Sequence, residues 1–141
     1  MEAELRIETT LEHDGDGLAH FAVSATNGEF SASIGTWDQT SAHLGLASVL
    51  RDFPVGSNTQ LNYRLGATGT CELAVSSLDT LGHIGVWLIF TADWPVAPSD
   101  RHQTASLFMR CDPASIDTFV SELSRFAPGS SNRARLLGLG P

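Results

Sequence analysis

The chain contains no lysine. All eight of its basic residues are arginine, against sixteen acids, for a formal charge of −8. That absence excludes a Schiff-base lysine, a P-loop lysine and a lysine general base. Acidity of this size also argues against a nucleic-acid groove, which needs a basic stripe to neutralise phosphates. Cysteine is scarce, with only Cys71 and Cys111, too few to suggest a disulfide framework or a four-ligand zinc site. Both fall in apolar strand patterns and read as buried thiols; a bridge requires their strands to be neighbours. No apolar run approaches the ~18 residues of a membrane helix. The opening Met1-Glu2-Ala3-Glu4 is acidic where a secretory signal is basic and then apolar. The expectation is a cytoplasmic protein without membrane contact.

What is present is the pattern of one α+β domain. The length of 141 residues and a 42% hydrophobic content suit a single ordinary core. Alternation of period two places Leu5 and Ile7 on one strand face, then Phe21, Val23 and Ala25 on a second strand. Phe30, Ala32 and Ile34 share the face of a third. Asp14-Gly15-Asp16-Gly17 and Asn27-Gly28 supply the turns between them. The period then changes to that of a helix, with Leu46, Val49, Leu50 and Phe53 as its stripe, a start between Asp38 and Ser41, and Pro54 as its end. Four more strand faces follow: Leu61, Tyr63 and Leu65; Cys71, Leu73 and Val75; Ile84, Val86, Leu88 and Phe90; Ala105, Leu107, Met109 and Cys111. A last helix begins at Asp112 as N-cap with Pro113 in its first turn, carries Ile116, Phe119, Val120, Leu123 and Phe126, and stops at Pro128-Gly129.

The predicted order is βββαββββα: a mainly antiparallel sheet of about seven strands with two helices on one face. Residues 1–129 form the domain. Residues 130–141, which open with Ser, Ser and Asn and carry Arg133 and Arg135, are expected to be a mobile tail. The two halves share an order of strands followed by a Phe-and-Pro-terminated helix, which independent use of the same stop signals explains without a duplication.

The residues offer little chemistry. Glu12, Asp14 and Asp16 imitate the first ligands of a calcium loop, but the twelfth position is then Val23, which cannot bind. The five histidines form no HExxH pattern, and a metal site would have to be assembled across strands, for instance from His20 and His83. No Gly-x-Ser-x-Gly elbow, no GxGxxG and no GK[ST] occurs. No cofactor is expected. The residues 91–103 read as a long link in which Trp94 is a lid over the sheet edge or an exposed anchor.

One face merits attention. If Val86 and Leu88 point to the helices, Trp87 and Ile89 point away from them. Ser106, Phe108 and Arg110 lie on the same outer side of the following strand, and Arg64 and Glu72 on the two strands before. Aromatic residues mixed with arginine are the types that dominate binding hot spots. Trp87, Phe108, Arg110, Arg64 and Glu72 are therefore the candidate partner or dimer surface.

Phe30-Ser31-Ala32-Ser33 with Trp37, the helix end Leu50-Arg51-Asp52-Phe53-Pro54, Leu81-Gly82-His83-Ile84-Gly85-Val86, and Phe119-Val120-Ser121-Glu122-Leu123 in the last helix together resemble WapI-type bacterial immunity proteins and neighbouring bacterial domains. The resemblance spans most of residues 3–127 and lies in the patterning of strands and helices. It implies a small intracellular protein that neutralises a cognate toxin by binding it, and it carries no site motif. The expectation is thus a non-enzymatic protein-binding domain. A small-molecule- or metal-dependent enzyme with a cleft between helices and sheet is the alternative, and a homo-oligomeric structural protein a third.

Overall fold

A computed structural model describes residues 1–13, 17–53, 60–96, 101–127 and 130–141, with 10–13, 94–96 and 101–102 described through their backbone only. The expected acid-glycine turn at 14–16 and the helix-ending Pro54, Pro128 and Gly129 lie outside the described residues. The elements are β1 (Glu2–His13), β2 (Leu18–Thr26), β3 (Ser31–Gln39), α1 (Ala42–Arg51), β4 (Gln60–Leu65), β5 (Thr70–Ser77), β6 (Ile84–Val96), β7 (Arg101–Cys111), α2 (Pro113–Ser124) and β8 (Asn132–Leu139). All strand pairs are antiparallel, in the order β3-β2-β1-β8-β7-β6-β5-β4.

The sheet has eight strands where the pattern predicts about seven. The extra one is the segment expected to be a mobile tail. Residues 132–139 pair along β1 from Glu2↔Leu139 to Thr9↔Asn132, and Ala134 and Leu136 are buried. Only these two residues mark the inner face. The outer positions include Leu137 and Leu139, so the alternation is too weak to announce a strand. The expected link at 91–103 is also largely strand, because β6 and β7 extend into it beyond a register shift between Thr91 and Pro95. Trp94, expected as lid or anchor, has its side chain outside the described residues.

Inward residues follow the predicted parity. Leu5, Ile7, Phe21, Val23, Cys71, Leu73, Val75, Val86, Leu88, Phe90, Leu107 and Met109 belong to one core with the buried faces of both helices. Phe30 departs from it: β3 begins one residue later, and Phe30 is 65% exposed in the turn. In α1 the buried stripe is Ala42, His43, Leu46, Ala47 and Leu50. Val49 sits on its flank and is exposed. α2 forms as expected, with Asp112 accepting the Ser115 amide at 2.8 Å and Pro113 in the first turn.

The order β-β-β-α-β occurs twice, first from β1 to β4 with α1 and then from β5 to β8 with α2. Arg51 of α1 donates to the hydroxyl of Ser124, 73 positions on. The same offset carries His43, Leu46, Ala47 and Leu50 onto Ile116, Phe119, Val120 and Leu123. Strand registers match as well: Val23 opposes Ile34 as Leu88 opposes Leu107, and Leu5 opposes Ala25 as Cys71 opposes Phe90. The two halves therefore share their order of elements and their strand order as well as the residues that end their helices.

Each copy contributes its fourth strand to the other's sheet: β8 adds to β1 and β4 to β5. The half-sheets meet at two corners made in the same way. At one, Arg110 of β7 pairs with Leu139 of β8. At the other, Trp37 of β3 accepts a hydrogen bond from Ala67 in the β4–β5 turn at 2.9 Å. There the buried Thr36 hydroxyl donates to the Gly69 carbonyl at 2.6 Å, and the Asp38 carboxylate accepts from Gly66 at 2.7 Å. Gly66 has φ +109°, and a Cβ on it would lie 2.1 Å from the Gly69 oxygen. Only glycine fits that corner.

Candidate functional site

β6 is buried on its inner face through Ile84, Val86, Leu88 and Phe90. Strand parity then turns Trp87 outward, opposite Ala74 on β5 and Phe108 on β7. The Trp87 and Phe108 rings sit 5.1 Å apart at 51°, a tilted cross-strand pair. Trp87 stays 48% exposed, while Phe108 is half-buried. The difference has a local cause. Phe108 leans over Gly85, where a Cβ would meet its ring at 3.0 Å and the Leu78 side chain at 2.8 Å. Leu78 and Leu81, in the β5–β6 turn, are themselves exposed at 45% and 82%. That turn is held by the Asp79 carboxylate, which accepts from the main-chain amides of Leu81 and His83 and pairs with the His83 imidazole. The imidazole contact, first, and the amide bonds hold the Asp79 carboxyl below its ordinary range.

The charged residues expected beside the aromatic pair are where parity puts them. Arg64 and Glu72 are directly opposed on β4 and β5, with side chains 3.9 Å apart. Both are about half exposed, so the pair adds little stability. Arg110, exposed beside Gly85 and Leu139, forms no ion pair among the described residues. The surface thus combines a tilted aromatic pair, apolar turn residues and an arginine without an ion pair among the described residues.

Other candidates are dispersed. Cys71 opposes Phe90 in the middle of β6 and Cys111 opposes Ile84 at its start, so the two thiols are roughly 20 Å apart at the usual strand rise. Both are free and buried, and burial pushes each thiol up to about 12. His20 and His83, the pair considered for a metal, have separate partners, Trp37 on β3 and Asp79 in the turn. His43 is buried between Phe126 and Phe21, with ring centroids at 5.0 and 6.4 Å. Burial lowers its pKa, and its Nδ1 has no partner. Among the described residues, no three His, Cys, Asp or Glu side chains gather to hold a metal ion. The calcium-like turn from Glu12 lies outside the described side chains.

A notch of about 230 Å³ between α2 and β8 brings Asp112, Ser115, Thr118, Glu122 and Arg135 together. Both of its acids already have structural work: Asp112 caps α2, and Glu122 accepts from the Arg135 main-chain amide at 2.9 Å. A second, larger groove of about 490 Å³ runs between β3 and the β6–β7 pair, lined by Ala32, Ser33, Ile34, Phe90, Ala92, Gln103, Thr104 and Ala105. Sequence patterning does not reveal it, because its walls are 56 or more residues apart in the chain. Compared with known proteins, the chain matches no family model, no curated protein and no solved structure.

Proposed function

We propose that this chain is a non-enzymatic protein-binding domain whose contact surface is the outer face of β5–β7, centred on Trp87 and Phe108. The observation that carries the proposal is the half-exposed Trp87, its ring tilted against Phe108, with Arg110, which forms no ion pair among the described residues, on the same face. A large aromatic held in place by a neighbouring ring loses little side-chain entropy on binding, and truncating such an anchor commonly costs more than tenfold in affinity. The matching partner surface is apolar at its centre and places a carboxylate against Arg110. Neutralisation of a cognate bacterial toxin, the role implied by the resemblance to WapI-type immunity proteins, is the specific form of this function.

The test is parallel affinity capture from the native cell with the wild-type chain and with Trp87→Ala and Arg110→Glu, each checked for an unchanged melting transition. A protein held by the wild type and lost with both variants supports the reading. A protein retained equally by all three, or a co-purifying metabolite with no protein, overturns it. If the retained protein is the chain itself, the surface serves self-association and the toxin-neutralising form falls.

A further inference from the structure

Asn27-Gly28 turns the chain from β2 into β3, and its surroundings give it a second role. The turn lies against the edge of β7. Asn27 is only 4% exposed there. Its carboxamide nitrogen donates to the Phe108 carbonyl at 3.2 Å, and its side-chain oxygen accepts from the Glu29 and Phe30 amides at 3.0 and 2.9 Å. The bond to Phe108 spans 81 positions and ties one half-sheet to the other. The chain just past β8 closes on the same residue. The Gly140 amide donates to the Met1 carbonyl at 2.8 Å, and a Cβ built on Gly140 would lie 2.1 Å from the Asn27 main-chain oxygen.

These two residues are also a reactive pair. Gly28 has φ +93° and no side chain to shield its nitrogen. When hydroxide takes the proton of that nitrogen, the nitrogen can bond to Asn27 Cγ. The Cγ–Nδ2 bond then breaks, and Nδ2 takes a proton from water and leaves as ammonia, closing a five-membered succinimide. Water opens the ring. Attack at Cγ restores the main chain and leaves aspartate; attack at the main-chain carbonyl carbon routes the chain through the side chain as isoaspartate. One water enters and one ammonia leaves, with no oxidant or reductant.

The closed corner opposes each step. Nδ2 is held on the Phe108 carbonyl, the Gly28 amide donates to the Thr26 hydroxyl at 3.4 Å, and burial of Asn27 keeps water away. The products, in turn, do not fit the closed corner. A carboxylate has no proton to give Phe108, and burying its charge against a carbonyl oxygen is costly. Isoaspartate lengthens the main chain by a methylene where Gly140 leaves no room for a Cβ. We propose that Asn27 is a self-deamidation site kept unreactive by the folded corner. It converts when the β2–β3 turn lifts off β7, and the product bars the turn from closing again. The chain thereby carries a one-way record of having opened. This chemistry requires no partner and stands apart from the role of the Trp87 surface.

Peptide mass spectrometry of the full chain after incubation at neutral pH tests this. The tryptic peptide 7–51 contains no other asparagine, so exchange of an amide for an acid there reports Asn27 once fragment ions exclude Gln39. Conversion in the folded chain should be at least about tenfold slower than in urea above the unfolding transition, because the Asn27 contacts must first break. In that urea Gly28→Ala should slow conversion markedly. Gly140→Ala, whose Cβ pushes against Asn27, should speed conversion several-fold in the folded state. Should that variant fail to fold, wild-type chain in urea below its transition should show the same acceleration. Asn27→Asp should lower the melting temperature by at least about 3 °C or abolish the transition. Equal conversion in folded and unfolded chain overturns the inference. So does an absence of conversion in the unfolded chain, or an Asn27→Asp variant that melts like the wild type.

Discussion

Replacing Gly66 by alanine tests the corner at which β3 closes onto the second half-sheet. The residue has φ +109°, and the added Cβ would lie 2.1 Å from the Gly69 carbonyl oxygen and 2.6 Å from the Thr36 hydroxyl. The backbone conformation alone costs a side-chain-bearing residue about 1–3 kcal/mol. The clash is with main chain, so the turn must move. Movement breaks the buried hydrogen bond from Thr36 to Gly69, and a buried polar pair left unmatched costs about 1–3 kcal/mol more. The sum, about 2–6 kcal/mol, is a large part of the ~5–15 kcal/mol stability of an ordinary domain. Equilibrium urea unfolding, followed by tryptophan fluorescence and circular dichroism, reads the loss directly. Thr36→Val should cost about 1–3 kcal/mol by itself. Because both changes strike one contact, the double variant should lose less than the sum of the two. A Gly66→Ala loss below about 1 kcal/mol, or strict additivity with Thr36→Val, would refute the account of the corner.

His43 predicts a pH dependence. Its folded pKa lies below the unfolded value of 6.5 because burial disfavours the charged ring. Its contribution is therefore complete above pH 6.5 and declines as pH falls from there toward the lowered folded pKa. Urea stability should drop between pH 7 and 5, and His43→Ile, which copies the equivalent Ile116, should flatten that slope; an unchanged slope would contradict it. Cys71 and Cys111, with thiols pushed up to about 12, should resist aromatic-disulfide labelling at pH 8 in the native protein and both react once it is unfolded. Rapid native labelling of either would show that its strand position is wrong.

The inner faces of seven strands and the polar start of α2 are legible in the sequence because they depend on local periodicity and on a cap with its acceptor three residues away. The same parity that buries Val86 and Leu88 exposes Trp87, so the aromatic surface is legible too. What is not legible depends on partners distant in the chain. β8 has weak alternation and is defined by its pairing with β1. Asn27 reads as a turn residue; its burial follows from the Phe108 carbonyl, 81 positions away. His43 carries no signal of the core position that Ile116 occupies in the other copy. The repeat of elements is muted because matched positions can keep burial while changing chemistry, as His43 and Ile116 illustrate.

The exchange of fourth strands between the copies bears on how the protein comes to exist during synthesis. The half-sheet of β1, β2 and β3 gains its inner neighbour only from residues 132–139. A nascent chain that has left the ribosome as far as α2 still exposes the β1 edge that β8 covers. The β1 edge therefore gains its second neighbour only once residues 132–139 have emerged.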